Sequence, residues 1–517
     1  MIEHSRTEYS LLNIFAGVGG YILTTIIGFV SRMVFVRCLS EDYLGVNGLF
    51  TNILMMLSLA ELGIGNAIVF ALYKPLAEHD EEKIASLVSF YGKAYRVIGI
   101  SVAIVGILLL PFLNFVIKDQ PNIAENLYLL YLINLFNTAS TYFFSYRSSL
   151  IIAAQQNYVV AATNYLVTII QSFIQIIVLF LTRNYLLYLL VQTVGTFIFN
   201  FTISRIAIKK FPFIVNKNIK PLNEKDKKSL FSNIRDLMIY KVSGLLVNST
   251  DNILITFFKG LAVTGIASNY TLLVNTLNSL LNQLFNGLTA SIGNHNALVD
   301  DESKYKMFSF LNLTNFWIFG WGTLGIIFCS TDLVRLCFGN EYVLPIYIPI
   351  VMAINFYTVG LSNAVWTYKH TMGLFHYGRF MQIFTGILNI SFSVILGTKW
   401  GLFGILFATF VARMLTNLWY DPYAIFVHGF HKSPLIYLKK YLYYLFVLFT
   451  AGVCCYFILI SIDCSIFVKL ILDIIICSII TNLVFFIFLF NTDEFKKLRN
   501  VLNNVLLILK RKVLKIK

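Results

Sequence analysis

Residues Tyr185–Ile208 read YLLYLLVQTVGTFIFNFTISRIAI and run directly into Lys209–Lys228, KKFPFIVNKNIKPLNEKDKK. The first stretch is long enough to cross the hydrocarbon core of a bilayer as one helix, which takes roughly 20 apolar residues. The second is a basic loop that resists translocation and so stays cytoplasmic. Outward from this junction the same alternation of apolar run and connection repeats. Apolar runs fall near Leu11–Val36, Leu44–Tyr73, Val97–Ile117, Leu127–Ser145, Val159–Leu181, Tyr185–Ile208, Leu237–Phe258, Thr264–Ile292, Phe310–Cys329, Val343–Val365, Phe380–Leu396, Gly401–Tyr420, Tyr437–Ile460 and Phe467–Phe490, which makes fourteen spans. Numbering the connections alternately places 31 of the 40 Lys and Arg with the two termini and the loops on their side. Only Arg37, Lys118, Arg183, Lys259, Arg335, Lys399 and Lys469 fall on the other side, while Arg32 and Arg413 lie within spans. Both termini are therefore expected in the cytoplasm. One miscounted helix would scramble this division.

Composition agrees with a polytopic all-α membrane protein. The chain is 58% hydrophobic and 13% charged, about half the charge of a soluble domain. Its net charge of +15 sits in membrane-flanking loops, so anionic membrane lipids, and no nucleic acid, are the expected partners. The first apolar run is a full span without a small-residue cleavage pattern, and it reads as retained. Seven cysteines without CxxC spacing and seven histidines outside any ligand motif imply neither a disulfide frame nor a metal site. There is no GxxxxGK[ST], HExxH or GxSxG pattern, and the outer loops are short. A transporter, not an enzyme, is expected.

The organisation reads as an N-terminal lobe over 1–208, a basic linker over 209–236, a C-terminal lobe over 237–428, two appended spans over 429–492 and a basic tail over 493–517. Lys74–Arg96 holds the acidic run Glu78–Glu82 and is expected to carry a surface helix. In the tail, Leu498, Val501, Leu502, Val505 and Ile508 share one helical face among lysines, the pattern of a helix lying on the inner leaflet. The halves echo one another. Ser145-Tyr146-Arg147 follows the fourth span and Thr367-Tyr368-Lys369 the tenth; Gly45-Val46-Asn47 opens the second where Gly265-Ile266-Ala267 opens the eighth. Six spans, a linker and six more give parallel repeats, two lobes related by a pseudo-two-fold axis along the membrane normal.

Polar residues fall into stripes. In the eighth span Ser268, Thr271, Asn275, Asn278, Asn282, Asn286, Thr289 and Gly293 follow helical spacing down one face. Asn164, Thr168, Gln171 and Gln175 do so in the fifth, and Asn134, Asn137, Thr141 and Ser145 in the fourth. Amides facing lipid would go unsatisfied, so these stripes face protein or water. For the fourth and fifth spans, interhelical hydrogen bonding and cavity lining both remain open. The eighth has more polar positions than packing needs and reads as a cavity wall, where amides suit sugar hydroxyls. Charges inside spans are Glu61, Asp251, Arg413 and Arg32. Each needs a partner or water, and for each a structural pair, or for Arg32 outward snorkelling, is the competing reading. Arg147, Lys241 and Lys369 stand at cytoplasmic span ends, and Arg147 and Lys369 occupy equivalent places in the two repeats.

Leu39–Phe50 (LSEDYLGVNGLF), Leu59–Ala67 (LAELGIGNA), Tyr73–Ala77 (YKPLA), Ser249–Ile255 (STDNILI) and Trp366–Lys369 (WTYK) resemble the polysaccharide flippases of the Wzx type. That family belongs to the superfamily that also holds MATE exporters and MurJ-type lipid II flippases, and the resemblance covers about residues 9–430. It implies a flippase that moves an undecaprenyl-diphosphate-linked oligosaccharide from the inner to the outer leaflet of the bacterial plasma membrane by alternating access. On that reading Arg32, Arg147, Lys241, Lys369 and Arg413 are candidates for the diphosphate. Asn275, Asn278, Asn282, Asn286, Gln171 and Gln175 are candidates for the glycan and cavity wall. Glu61 and Asp251 are candidates for H⁺ or Na⁺ coupling, with no other cofactor. The protein is expected to act as a monomer, with the polysaccharide polymerase as a neighbour. A lipid II flippase and a drug or metabolite exporter of the same fold are the alternatives; a membrane polymerase or ligase would need a large outer loop.

Overall fold

The computed structural model describes residues 6–58, 69, 71–73, 75–76, 78–113, 117, 122–154, 156–216, 219–223, 250–282, 300–372, 374, 377–462 and 464–500. Among the described residues every regular element is helical. Each of the fourteen spans read from the sequence contains a helix over all or part of its length. Ten helical stretches are long and apolar enough to cross a membrane, and the one over Phe380–His428 holds both the eleventh and twelfth spans. The exposed surface is apolar where it would meet hydrocarbon: Phe180 is 76% and Phe449 72% exposed, which an aqueous surface would penalise.

Left-handed backbone marks the connections. His79, Arg183, Gly260, Gly339, Gly378, Gly401 and His431 have positive φ, and all stand between spans, except Gly401, which is the first residue of the twelfth. Gly401, at φ 58° and ψ −133°, adopts a conformation open to glycine alone, and the chain reverses there. Asn389 Nδ2 donates to Thr409 Oγ1 at 2.8 Å, and the Thr385 and Thr416 hydroxyls lie 2.7 Å apart. These pairs mirror each other about Trp400, as an antiparallel helix pair requires.

Two expected elements turn out longer. The surface helix of Lys74–Arg96 is the start of one helix, Glu81–Leu108, that continues into the third span. Asp80 caps it by accepting from Lys83 N at 2.9 Å, Glu81 and Glu82 complement its dipole, and nothing breaks it before Pro111. The ninth span is Asp301–Phe338, 38 residues, roughly 57 Å at helical rise, so both ends project beyond the hydrocarbon. The tail begins as a helix after Phe490 and buries Phe495 against Trp317, Phe486 and Phe490. Residues 501–517, which hold most of its amphipathic face, lie outside the described residues.

The chain divides into two compact units, Met1–Ser268 and Asn269–Lys517. In unit 1 the first span packs on the fifth, the fifth and fourth on the sixth, and the third on the fourth. Small residues allow these approaches: a Cβ on Gly20 would strike the Tyr165 ring and one on Gly106 would strike Leu135. The segment Thr250–Ser268 belongs to unit 1, and there Gly45 and Gly265 let the second and eighth spans meet backbone to backbone. In unit 2 the ninth span is central, packed on the tenth and fourteenth. Its partners form an aromatic core in which Phe316 stacks on Tyr444 at 4.4 Å and packs on Phe485 at 4.7 Å.

Candidate functional site

In unit 1, helix breaks and helix ends hold the cationic candidates. The fourth span stops at Thr141; a tight turn, Ser145–Arg147, then leads into Ser148–Ala153. Arg147 leaves that break half-buried, with its guanidinium 5.2 Å from the Tyr146 ring centroid and donating to Ser204 Oγ of the sixth span. It has no carboxylate partner among the described residues. Arg32, on the first span, donates to Ser268 Oγ, and its charge acts on the Tyr185 and Tyr188 hydroxyls. Near Arg32, Tyr43 donates to Glu125 at 2.5 Å and Tyr185 to Asn47 Oδ1 at 3.2 Å.

Unit 2 treats its equivalent cation differently. Lys369 Nζ lies 2.5 Å from Asp421 Oδ1, and Trp366 Nε1 donates to Asp421 Oδ2 at 3.1 Å. Asp421 is 2% exposed, so this is an ion pair between the tenth and twelfth spans, completed by an indole. Arg147 and Lys369, equivalent in sequence, thus differ: one is held by neutral groups, the other is neutralised. Arg413 is half-buried in the last turn before the helix breaks at Thr416. Asp251 is half-buried near the start of the described seventh span. Lys241, Glu61 and Asn286 lie outside the described residues.

The stripes split. Gln171 Nε2 donates to Gln175 Oε1 at 3.5 Å, and Gln175 Nε2 to Tyr188 O at 3.3 Å. With Gln175 3% exposed, these two amides join the fifth and sixth spans. Asn275 is exposed. Asn282 donates to Asn278 Oδ1 at 3.1 Å and accepts from Asn363 Nδ2 of the tenth span at 2.8 Å. Within the stripe Asn275 is open to its surroundings, whereas Asn278 and Asn282 belong to an amide chain inside unit 2.

Two further acids, Asp421 and Asp473, are buried in unit 2. Asp473 lies inside the fourteenth span and is 2% exposed, where a lone acid in an apolar helix signals a buried partner. Beside it Asp332 binds Arg335 at 3.0 Å and Lys469 at 3.2 Å, while Asp473 Oδ1 is left without a hydrogen-bond partner among the described residues. Asp421 stands one residue past the twelfth span, and its pairing with Lys369 depends on two spans whose neighbourhood is tertiary.

Unit 2 also carries an apolar cavity of about 1040 Å³ that is open on one side, where Phe449 and Phe457 are exposed. Leu435, Tyr441, Leu448 and Phe457 of the thirteenth span line it along nearly their whole helix, against Phe328, Ile354 and Trp419. Polar groups are nearly absent from its wall.

Residues 10–291 match the family described as polysaccharide biosynthesis protein. The chain belongs to that family. Solved structures show the same fold. One is the lipid II flippase MurJ in an inward closed conformation, with TM-score 0.60 and 17% identity over 90% of this chain and 98% of that one. An inward-facing multidrug resistance MATE family transporter of the MOP superfamily gives TM-score 0.56 and 13% identity over 78% and 94%. A MOP superfamily transporter from Pyrococcus furiosus gives 0.53 and 12% over 83% and 100%. At such identities the likeness is one of fold. No curated protein matches the chain significantly. This member of the polysaccharide biosynthesis family is therefore a multi-pass membrane protein with the fold of MOP-superfamily transporters, as its motifs implied.

Proposed function

We propose that this protein is a flippase that carries an undecaprenyl-diphosphate-linked oligosaccharide repeat unit across the bacterial plasma membrane, from inner to outer leaflet, by alternating access. The observation that carries this reading is the apolar cavity along the thirteenth span. An apolar wall along most of the thirteenth-span helix suits a polyprenyl chain, and its lining offers no carboxylate for an organic cation. Family membership supports the polysaccharide side of the reading, and MurJ, named as a lipid II flippase, supports a lipid-linked one.

Within this scheme Arg147 is the foremost diphosphate ligand, since charge-assisted bonds to phosphate are strong and its cation is not already neutralised. Lys369, neutralised by Asp421, is available to a phosphate only when Asp421 is released. Asn275 meets the glycan. Export of roughly two negative charges from a negative interior yields about 4.6 kcal/mol at 100 mV. Resetting the carrier is coupled to H⁺ or Na⁺ through Glu61 and Asp251.

The test is transport of a labelled lipid-linked oligosaccharide into proteoliposomes with potential and pH gradient imposed separately. Uptake of the lipid-linked sugar, with no efflux of lipophilic cations, is expected. Cation efflux without sugar transport would instead identify an exporter, and transport of lipid II alone a lipid II flippase. Asp251→Asn is expected to abolish the response to the ion gradient while sparing substrate binding; an unchanged response would make Asp251 a structural acid.

A further inference from the structure

The ninth and fourteenth spans pack along one another and are joined by a ladder of polar contacts. Trp317 Nε1 donates to Asn482 Oδ1 and Trp321 Nε1 to Ser478 Oγ, each at 2.7 Å. At the far end of the ladder Lys469 Nζ meets Asp332 Oδ2 at 3.2 Å. Residue numbers rise on one helix as they fall on the other, so the pair is antiparallel. Asp473 stands one turn from Lys469, and Asp473, Cys477 and Thr481 follow at helical spacing on the buried face of the fourteenth span. Asp473 therefore sits inside this seam.

The two acids of the seam are served unequally. Asp332 is buried and both of its oxygens are taken, Oδ1 by Arg335 and Oδ2 by Lys469. Asp473, 2% exposed, lies within hydrogen-bond reach of the Asp332 carboxyl. Among the described residues it has no base within salt-bridge distance and no donor for Oδ1. The remaining titratable groups around it are thiols: Cys329 of the ninth span, Cys455 of the thirteenth and Cys477 of its own. Two carboxyl groups in contact offer acceptors to each other, and neither can donate unless one carries a proton. An ionised Asp473 would also be a buried charge without a counter-ion, and such a group takes up a cation or a proton instead. The surroundings select the proton. Hard metal cations take about six oxygen ligands, whereas thiols fill the wall here and Asp332 already holds two cations. No group of three His, Cys, Asp or Glu among the described residues is placed to hold a metal.

We propose that Asp473 is a proton-binding site, a neutral carboxylic acid that donates its proton to Asp332, whose carboxylate also accepts from Arg335 and Lys469. The proton holds the fourteenth span, and with it the thirteenth that packs on it, against the ninth. The site belongs to unit 2, whereas Asp251 belongs to unit 1.

Infrared spectroscopy of the full-length protein in lipid nanodiscs tests this. At neutral pH wild type should show the carbonyl stretch of a protonated carboxylic acid, downshifted in deuterium oxide, and Asp473→Asn should lack it. Glu302→Gln, which removes an exposed acid, should keep the band. Asp473→Glu should keep it at a shifted frequency, so the assignment stands even if the Asn protein does not fold. Thermal unfolding gives a second readout. The unfolded chain releases this proton above the ordinary carboxylate range and the folded protein keeps it, so wild type should lose stability relative to Asp473→Asn as pH rises, by about tenfold in the folding equilibrium per pH unit. Identical carboxylic-acid absorption in wild type and Asp473→Asn, or parallel pH curves, would overturn the proposal. So would loss of the band when sodium replaces choline in the buffer, which would identify a metal-cation site.

Discussion

Gly45 and Gly265 pack against each other, and they do so reciprocally. A Cβ on Gly45 would lie 2.1 Å from Leu261 O, and one on Gly265 would lie 2.4 Å from Glu41 O and 3.0 Å from Gly45 N. Each glycine thus meets the residue four positions before the other. The two are sequence-equivalent openings of the second and eighth spans, and reciprocal contact between equivalent positions is what a local two-fold relation produces. Since backbone carbonyls cannot retreat as side chains can, Gly45→Ala and Gly265→Ala should each cost about 1–3 kcal/mol or more. Gly48→Ala, with open space around its Cβ, should cost little. Thermal unfolding in detergent checks the difference, and equal effects at all three sites would show that the contact is dispensable.

Lys369 and Asp421 should behave as a buried pair. Lys369→Gln or Asp421→Asn alone should destabilise by about 3–5 kcal/mol, because each leaves its partner uncompensated. Lys369→Met/Asp421→Leu together should cost less than either. Arg147→Gln, by contrast, should leave the unfolding temperature within a few degrees and weaken binding of the lipid-linked diphosphate. If Arg147→Gln unfolds the protein and leaves binding intact, its bond to Ser204 is structural.

The eighth-span stripe should divide functionally where it divides structurally. Asn275→Leu should reduce transport with stability preserved. Asn363→Leu should destabilise by about 1–3 kcal/mol, since it leaves the Asn282 carbonyl without its donor inside unit 2. Paired measurements of unfolding and of oligosaccharide transport separate the two; normal transport by Asn275→Leu would remove it from the glycan path.

Glu302 and Lys432 supply a pH dependence. Glu302 stands in the projecting first turn of the ninth-span helix and Lys432 before the thirteenth span, both outside the hydrocarbon. The Lys432 hydrogen bond holds the Glu302 carboxyl below its ordinary value, and the same bond raises the Lys432 ammonium. The acid's contribution is present above the unfolded carboxylate pKa and is lost as pH falls through the lower folded value. The lysine's contribution is present below the unfolded lysine pKa and is lost as pH rises through the raised folded one. Glu302→Gln should therefore flatten stability against pH at both extremes while changing little on mild acidification. An acid transition identical to wild type would show that the exposed pair is screened.

What the sequence determined by itself is the membrane architecture, because hydrophobic length and the side on which Lys and Arg accumulate are local quantities that the bilayer reads directly. The runs from Leu11–Val36 to Phe467–Phe490 each hold a helix, and turns fall at Arg183, Gly260 and Gly401, where the apolar pattern breaks. The echo of Gly45 in Gly265 was likewise legible, though not that the two touch. The fate of each polar group was decided only in three dimensions. Arg147 and Lys369 occupy equivalent places in sequence, and nothing local tells that one meets Ser204 and the other Asp421. Gln175 and Asn275 share the same helical spacing, yet one bonds a neighbouring span while the other is exposed. In a low-dielectric interior the role of a polar side chain is set by its partner, and partners on different spans are chosen by packing.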